Sequence, residues 1–229
     1  MRFVQRFKMM RAFYSLVRDP RKTESVFEMS NAGIAQRGPL VAKSVQAAVS
    51  QVGFQQLYES GYNPRIAPLA ELAKYPEGTF GRAFAQHMLS NGLEVDFFPR
   101  RLGDGVESYL INRGRASHDF WHVLTGFDTS VSGEIGLQAF TLAQIRSAFS
   151  ALLIAGGLLH AITRNPEIFD QTIDRLFAGY QIGLKSKSLL GVPLETLFAE
   201  NLDDLRARLN IEPITVHEEY SVRRPAART

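Results

Sequence analysis

Ser117 to Glu134 reads SHDFWHVLTGFDTSVSGE, and four of its side chains could do chemistry together: His118, Asp119, His122 and Glu134. Positions four apart lie on one face of an α-helix, so His118 and His122 can grip one cation between them. The zinc motif H-E-x-x-H uses the same spacing. Asp119 stands one step round the helix, where it can reach the cation beside His118 or accept a hydrogen bond from a ligand. Glu134 opens the next helix after a short loop, at the positive end of that helix dipole. From there an acid can fold back and supply a further ligand. Two neutral imidazoles and two carboxylates cancel the charge of a divalent ion. Mixed nitrogen and oxygen donors suit zinc, iron or manganese better than magnesium. At this composition H-D-x-x-H arises by chance roughly 0.004 times per chain, which weighs a metal group above a pair of surface histidines salt-bridged to acids. The other histidines are weaker candidates. His87 reads as a packed or surface residue, His160 as a partner for a helix C-terminus, and His217 as solvated in VHEEY.

Helical patterns supply the elements that would hold these groups. Thr79 is placed as an N-cap and Asn91-Gly92 as a stop for a helix whose Phe80, Phe84, Met88 and Leu89 face one side. The segment from Asp104 to Phe127 reads as two helices broken near Gly114, the second ending at Gly126. One long helix is expected from Gly133 to Ile162, and another after Asn165-Pro166. Leu194, Leu197, Phe198, Leu202, Leu205 and Leu209 share one face of a last helix. Strand signals are confined to GLEVDFF, with Leu93, Val95 and Phe97 alternating. The fold class is therefore all-α: a single domain of about eight or nine helices over residues 1–211, followed by a tail at 212–229.

Composition narrows the class further. The chain has 229 residues with 45% hydrophobic and 21% charged, ordinary for a folded protein. It has no cysteine, so thiolate metal sites and disulfides are excluded. A net charge of +3 gives no support to nucleic acid as a partner. The positive charge gathers at the ends. At the start, Phe3, Phe7, Met10, Tyr14 and Val17 recur at helical spacing with Arg2, Arg6, Arg11 and Arg18 off that stripe. Such a segment is a docked helix, a membrane-surface helix or a targeting sequence. The longest apolar stretch, from Ala148 to Leu159, is shorter than the ~20 residues a membrane span needs. Its small residues Ala151, Ala155, Gly156 and Gly157 either leave room for an apolar chain or let helices pack closely, the second being the safer reading.

Taken together, HDFWHVLTGF…GE resembles the His-Asp-x-x-His-x11-Glu signature of the coenzyme Q biosynthesis protein 4 family. PEGTFGRAFAQHM, Pro76 to Met88, resembles that family's Pro-x-Gly-Thr-x-Gly-Arg segment, and NLDDLRARLNI its C-terminal helix. The resemblance implies an all-helical protein, peripheral to a membrane, that acts on a polyprenylated benzoate ring in ubiquinone biosynthesis. It implies His118, Asp119, His122 and Glu134 as metal ligands, with Zn2+ first among Zn2+, Mg2+, Mn2+ and Fe2+. The implied activity removes the C1 carboxyl, in an oxidative form that leaves a hydroxyl there. Zinc is redox-inert, so oxygen would then react with the activated substrate itself, unless another metal is bound. Arg82, Arg113 and Arg115 are the cations near enough in sequence or motif to anchor a carboxylate, and Arg82 and Arg115 are taken as the catalytic candidates. Arg82 reads equally well as a structural ion pair.

The expected partners are a polyprenylated benzoate or quinone-type lipid held in an apolar groove, the membrane surface, other ubiquinone-biosynthesis enzymes and a second copy of the chain in a homodimer. The expected location is the cytoplasmic face of a bacterial inner membrane or the matrix face of the mitochondrial one. Two alternatives remain: a non-catalytic prenyl-lipid-binding scaffold for those enzymes, and a metal-dependent prenyl-phosphate hydrolase.

Overall fold

Apolar periodicity of 3.6 residues runs through nearly all of this chain, and helices follow from it. The structure, a computed structural model, describes residues 2–20, 26, 39–95 and 105–215. Among them are ten α-helices: α1 Arg2–Arg18, α2 Pro39–Val49, α3 Phe54–Glu59, α4 Leu69–Leu72, α5 Phe80–Ser90, α6 Val106–Thr125, α7 Val131–Ile145, α8 Ala148–Thr163, α9 Phe169–Lys185 and α10 Leu202–Leu209. Two single 3-10 turns, Pro166–Ile168 and Leu194–Thr196, complete the set. The described residues contain no strand, only an isolated antiparallel bridge between Thr79 and Asn201. Leu93 to Val95 form no part of a strand. Phe97, His217 and the tail from 216 lie outside the described residues.

Contacts divide the chain into two compact units. The first comprises Met1–Ser44, Asp128–Leu184 and His217–Thr229, and the second Val45–Phe127 and Lys185–Val216. In the first unit α1, α7, α8 and α9 pack together. Ala12, Leu16 and Leu153 form a buried cluster that Phe13, Phe149 and Leu152 cover. Of the small residues of α8, Gly156 and Gly157 serve this packing, whereas Ala151 and Ala155 are exposed. A Cβ on Gly156 would lie 2.7 Å from Leu16 Cδ2, and one on Gly157 would lie 2.2 Å from Ile135 Cδ1. The face of α1 differs from the sequence reading: Ala12, Leu16 and Val17 are buried, whereas Phe7, Met10 and Tyr14 are 64%, 69% and 62% exposed. The apolar stripe of the sequence thus divides, its Val17 end turned inward and its Phe7–Tyr14 part outward. His160 Nδ1 sits 2.9 Å from the Val17 carbonyl oxygen, so it serves the end of α1 rather than of its own helix.

Three boundaries differ from expectation. The expected long helix breaks at Arg146, which adopts the left-handed conformation (φ 51°, ψ 39°) as the cap of α7. Ser147 then caps α8 by accepting from Ser150 N at 3.1 Å, and Ser44 Oγ donates to the Arg146 carbonyl at 2.9 Å. Apolar residues on both sides hid this break. Conversely, α6 runs unbroken through Gly114, around whose Cβ position lies open space. A mid-helix glycine costs only about 1 kcal/mol, and the buried residues on both sides of it outweigh that. The last segment divides into the 3-10 turn at Leu194 and α10, because Asn201 caps a new helix by accepting from Asp203 N and Asp204 N.

In the second unit, Phe80 and Phe84 of α5 meet Phe120 of α6 and Phe198 in one aromatic cluster. The closest centroids, Phe84 and Phe120, lie 4.6 Å apart. This cluster sets α5 against the half of α6 that carries the histidines.

Candidate metal centre

The C-terminal turns of α6 are almost wholly buried, from Phe120 to Thr125. An apolar surround there explains why the helix persists to Gly126, whose φ of 78° reverses the chain. Arg206 of α10 caps the end, its Nε donating to the Leu124 carbonyl at 3.0 Å and a guanidinium NH2 to that of Val123 at 2.9 Å. A cation on the negative end of a helix is favourable. Nothing in the spacing of Arg206 signalled this.

On this fixed element His118, Asp119 and His122 come together. One donor atom of each lies within 4.8 Å of the others. The His118 and His122 rings are edge to face, with centroids 4.9 Å apart at 87°. His122 is 2% exposed, while His118 and Asp119 are half-buried. The Nδ1 of His122 lies 2.9 Å from the Phe127 carbonyl oxygen, just past the Gly126 turn. With Nδ1–H donated there, Nε2 keeps its lone pair, the arrangement of a metal-ligating imidazole. Two imidazoles and a carboxylate so disposed fit a divalent ion of the zinc class.

A further ring that the sequence reading left as packing also belongs here. His87 of α5 lies against His122, with ring centroids 5.1 Å apart and planes 25° from parallel. Its only signal in the sequence is its place beside the buried Phe84 and Met88 on an otherwise apolar helix face.

The segment Pro76 to Arg82 builds the start of α5. Thr79 Oγ1 accepts from Arg82 N at 3.4 Å, and Gly78 has a φ of 81°. Gly81 lets the backbones touch: its N–H donates to the Phe198 carbonyl at 2.9 Å, and a Cβ would fall 2.8 Å from Phe198 Cβ. One guanidinium nitrogen of Arg82 points back to the Ala73 and Tyr75 carbonyls at 3.4 and 3.3 Å. Arg82 therefore braces the turn before α5.

Arg113 forms a buried ion pair with Glu195, with further bonds to the Leu190 and Val192 carbonyls at 3.3 and 2.6 Å. Tyr62 donates to Glu195 at 3.4 Å, and Tyr109 to the Tyr62 carbonyl at 3.0 Å. Burial, and then the Glu195 charge, push the Tyr62 phenol up to about 12. Burial likewise raises that of Tyr109. Arg115 is half-buried, one helical turn before His118 and Asp119.

Glu134 belongs to the first unit, half-buried in the first turn of α7. Ser130 caps that helix, accepting from Gly133 N at 3.1 Å. Asp128 accepts from Ser130 N at 3.1 Å and pairs with the buried Arg175 at 3.1 Å. Gly133 is tight against it, since a Cβ there would lie 2.1 Å from Asp128 Oδ1.

Residues 45–215 match the family described as Coenzyme Q (ubiquinone) biosynthesis protein Coq4. The chain belongs to this Coq4 family. Its role therefore lies in ubiquinone biosynthesis. The match takes in His118, Asp119, His122, Glu134 and the Pro76–Arg82 segment, and it leaves α1 outside. A sea-anemone relative (Nematostella vectensis), the mitochondrial ubiquinone biosynthesis protein COQ4 homolog, is 35% identical over 63% of this chain and 71% of its own length. The mitochondrial coq4 of Aspergillus flavus is 31% identical over 65% of this chain, which spans about half (53%) of that relative. A solved Nostoc punctiforme protein, named for ubiquinone biosynthesis, superposes with a TM-score of 0.77 at 28% identity, covering 89% of this chain and 97% of that one.

Proposed function

We propose that the chain holds one divalent cation on His118, Asp119 and His122. There it removes the C1 carboxyl of a polyprenylated hydroxybenzoate as carbon dioxide and leaves a hydroxyl from water in its place, a two-electron oxidation in which dioxygen is the oxidant and leaves as hydrogen peroxide. The observation that carries the reading is the donor set: three donors within 4.8 Å of one another, one of them an imidazole whose second nitrogen is already committed to Phe127. Zinc fits this set best.

When bound, the cation supplies Lewis-acid stabilisation of the charge that develops on the ring as the C1–carboxyl bond breaks. The protein's own groups do the rest. Phe127 holds His122 in one tautomer, and the buried Phe120, Trp121 and Leu124 keep water from that side of the helix. Of the three arginines singled out by sequence, Arg82 and Arg113 are engaged by main-chain carbonyls and Glu195. The reading gives the ring carboxylate to Arg115, which stands one helical turn before His118 and Asp119, by a charge-assisted bidentate bond.

The substrate tail would reach the protein from a lipid surface. No helix among the described residues is long and apolar enough to cross a membrane. α1 instead turns Phe7, Met10 and Tyr14 outward beside the exposed Lys8, Arg11 and Arg18, a pattern that suits anionic lipid.

Elemental analysis of purified protein tests the ion, with about one zinc per chain expected and none in His118→Ala of unchanged helicity. Cells relying on Asp119→Ala should accumulate carboxylated ring precursors. Normal ubiquinone from a metal-free variant would overturn the proposal in favour of the scaffold.

A further inference from the structure

His122 has two orientational freedoms that a metal ligand must lose. The bond from Nδ1 to the Phe127 carbonyl removes one, the choice of which nitrogen faces the cation. It leaves the tilt of the ring about that bond. Among the described residues two imidazole rings bear on the tilt: His118, edge-on at 4.9 Å, and His87, 25° from parallel at 5.1 Å. His118 is itself a candidate ligand and moves with the ion. His87 sits on the other helix of the pair, and that helix is held from several sides. Its start is fixed by the Thr79 cap and the backbone contact of Gly81 with Phe198. Phe84 and Met88, either side of His87, are each 1% exposed.

We propose that His87 is a positioning residue of the metal centre: its ring backs that of His122 and holds the ligating nitrogen on the cation. This rests on reading His118, Asp119 and His122 as metal ligands. An imidazole bound to a cation carries partial positive charge, and the face of a neighbouring aromatic ring attracts such charge. The role asks for a flat π-face at position 87, not for a nitrogen. Phenylalanine should therefore serve there, whereas leucine or glutamine should not.

The test uses the full chain and Zn2+ alone, with affinity measured by competition against a chelator and with the absorption of the Co2+-loaded protein. His87→Phe should bind Zn2+ close to wild type and keep the Co2+ spectrum. His87→Leu should bind about tenfold or more weakly and show an altered spectrum, at unchanged helical circular dichroism. His87→Gln gives the same comparison if the leucine variant does not fold. Wild-type affinity and spectrum in the non-aromatic variants would overturn the proposal. So would a phenylalanine variant as weak as the leucine one, with one imidazole fewer by X-ray absorption, which would make His87 a ligand. A folded wild type that takes up no Zn2+ would instead sink the metal reading beneath it.

Discussion

His122 Nδ1 and the Phe127 carbonyl oxygen are 2.9 Å apart, joined across the turn that ends α6. That turn depends on Gly126 at φ 78°, where a Cβ would also touch Ile214 Cγ2 at 3.4 Å. Gly126→Ala should cost about 1–2 kcal/mol of stability, the usual penalty for an L-residue in left-handed backbone. It should weaken Zn2+ binding as well, because the carbonyl that orients His122 shifts. Gly126→Asn should recover much of both. Denaturant unfolding and chelator competition on the same samples check this.

The Arg113–Glu195 pair is buried at both ends, with side chains 3% and 4% exposed. Removing one partner leaves a buried charge alone, so Arg113→Met should destabilise by about 3–5 kcal/mol. Arg113→Met with Glu195→Leu should lose much less. The same cluster predicts alkaline behaviour. Tyr62 binds its proton more tightly when folded, so its contribution is complete below the ordinary phenol value of 10.0 and is lost as pH rises towards about 12. Tyr62→Phe should remove that part of the alkaline decline.

Asp128 shows the opposite sign. Burial pushes its carboxyl up, but the Ser130 hydroxyl, the Arg175 guanidinium and the Ser130 N–H outweigh burial and hold it below 3.8. The stability it contributes is present above that value and disappears as the carboxylate is protonated below it. Its side chain is 57% exposed, so the contribution is on the order of 1 kcal/mol or less. Tm curves of wild type and Asp128→Asn should differ at neutral pH and converge in acid.

Phe7, Met10 and Tyr14 point away from the buried face of α1, so replacing all three with serine should leave Tm nearly unchanged. Binding to vesicles containing anionic lipid should weaken, and it should weaken further with salt. Binding that ignores both changes would show that this face has another partner.

Much of this was legible in the chain itself. Thr79 reads as a cap in the sequence, whereas Ser147 and Asn201, which cap helices after breaks the periodicity passed over, do not. A cap is a local event in one side chain, and Thr79 was visible as such. The break at Arg146 depends on an αL residue flanked by apolar runs of the same period, so periodicity passed over it. Gly114 failed in the other direction, because its helix cost is small beside the burial around it. His118, Asp119 and His122 were legible because their geometry lies within one helix. His87 was not, since its partner is more than thirty residues away and only the packing of α5 on α6 brings the rings together. Arg82 was singled out by its place in a family segment, and its bonds to the Ala73 and Tyr75 carbonyls are visible only in the structure.

The central claim is that the His118–Asp119–His122 centre removes a ring carboxyl. Purified chain loaded with Zn2+, and separately with Fe2+ or Mn2+, should be given a polyprenylated hydroxybenzoate labelled at its carboxyl carbon, in the presence of oxygen. Labelled carbon dioxide should be released, with a hydroxyl gained at C1, by at least one metal form and not by His118→Ala. Release of label by the metal-free variant at the wild-type rate would contradict the account, as would no release by any metal-loaded form that binds the substrate.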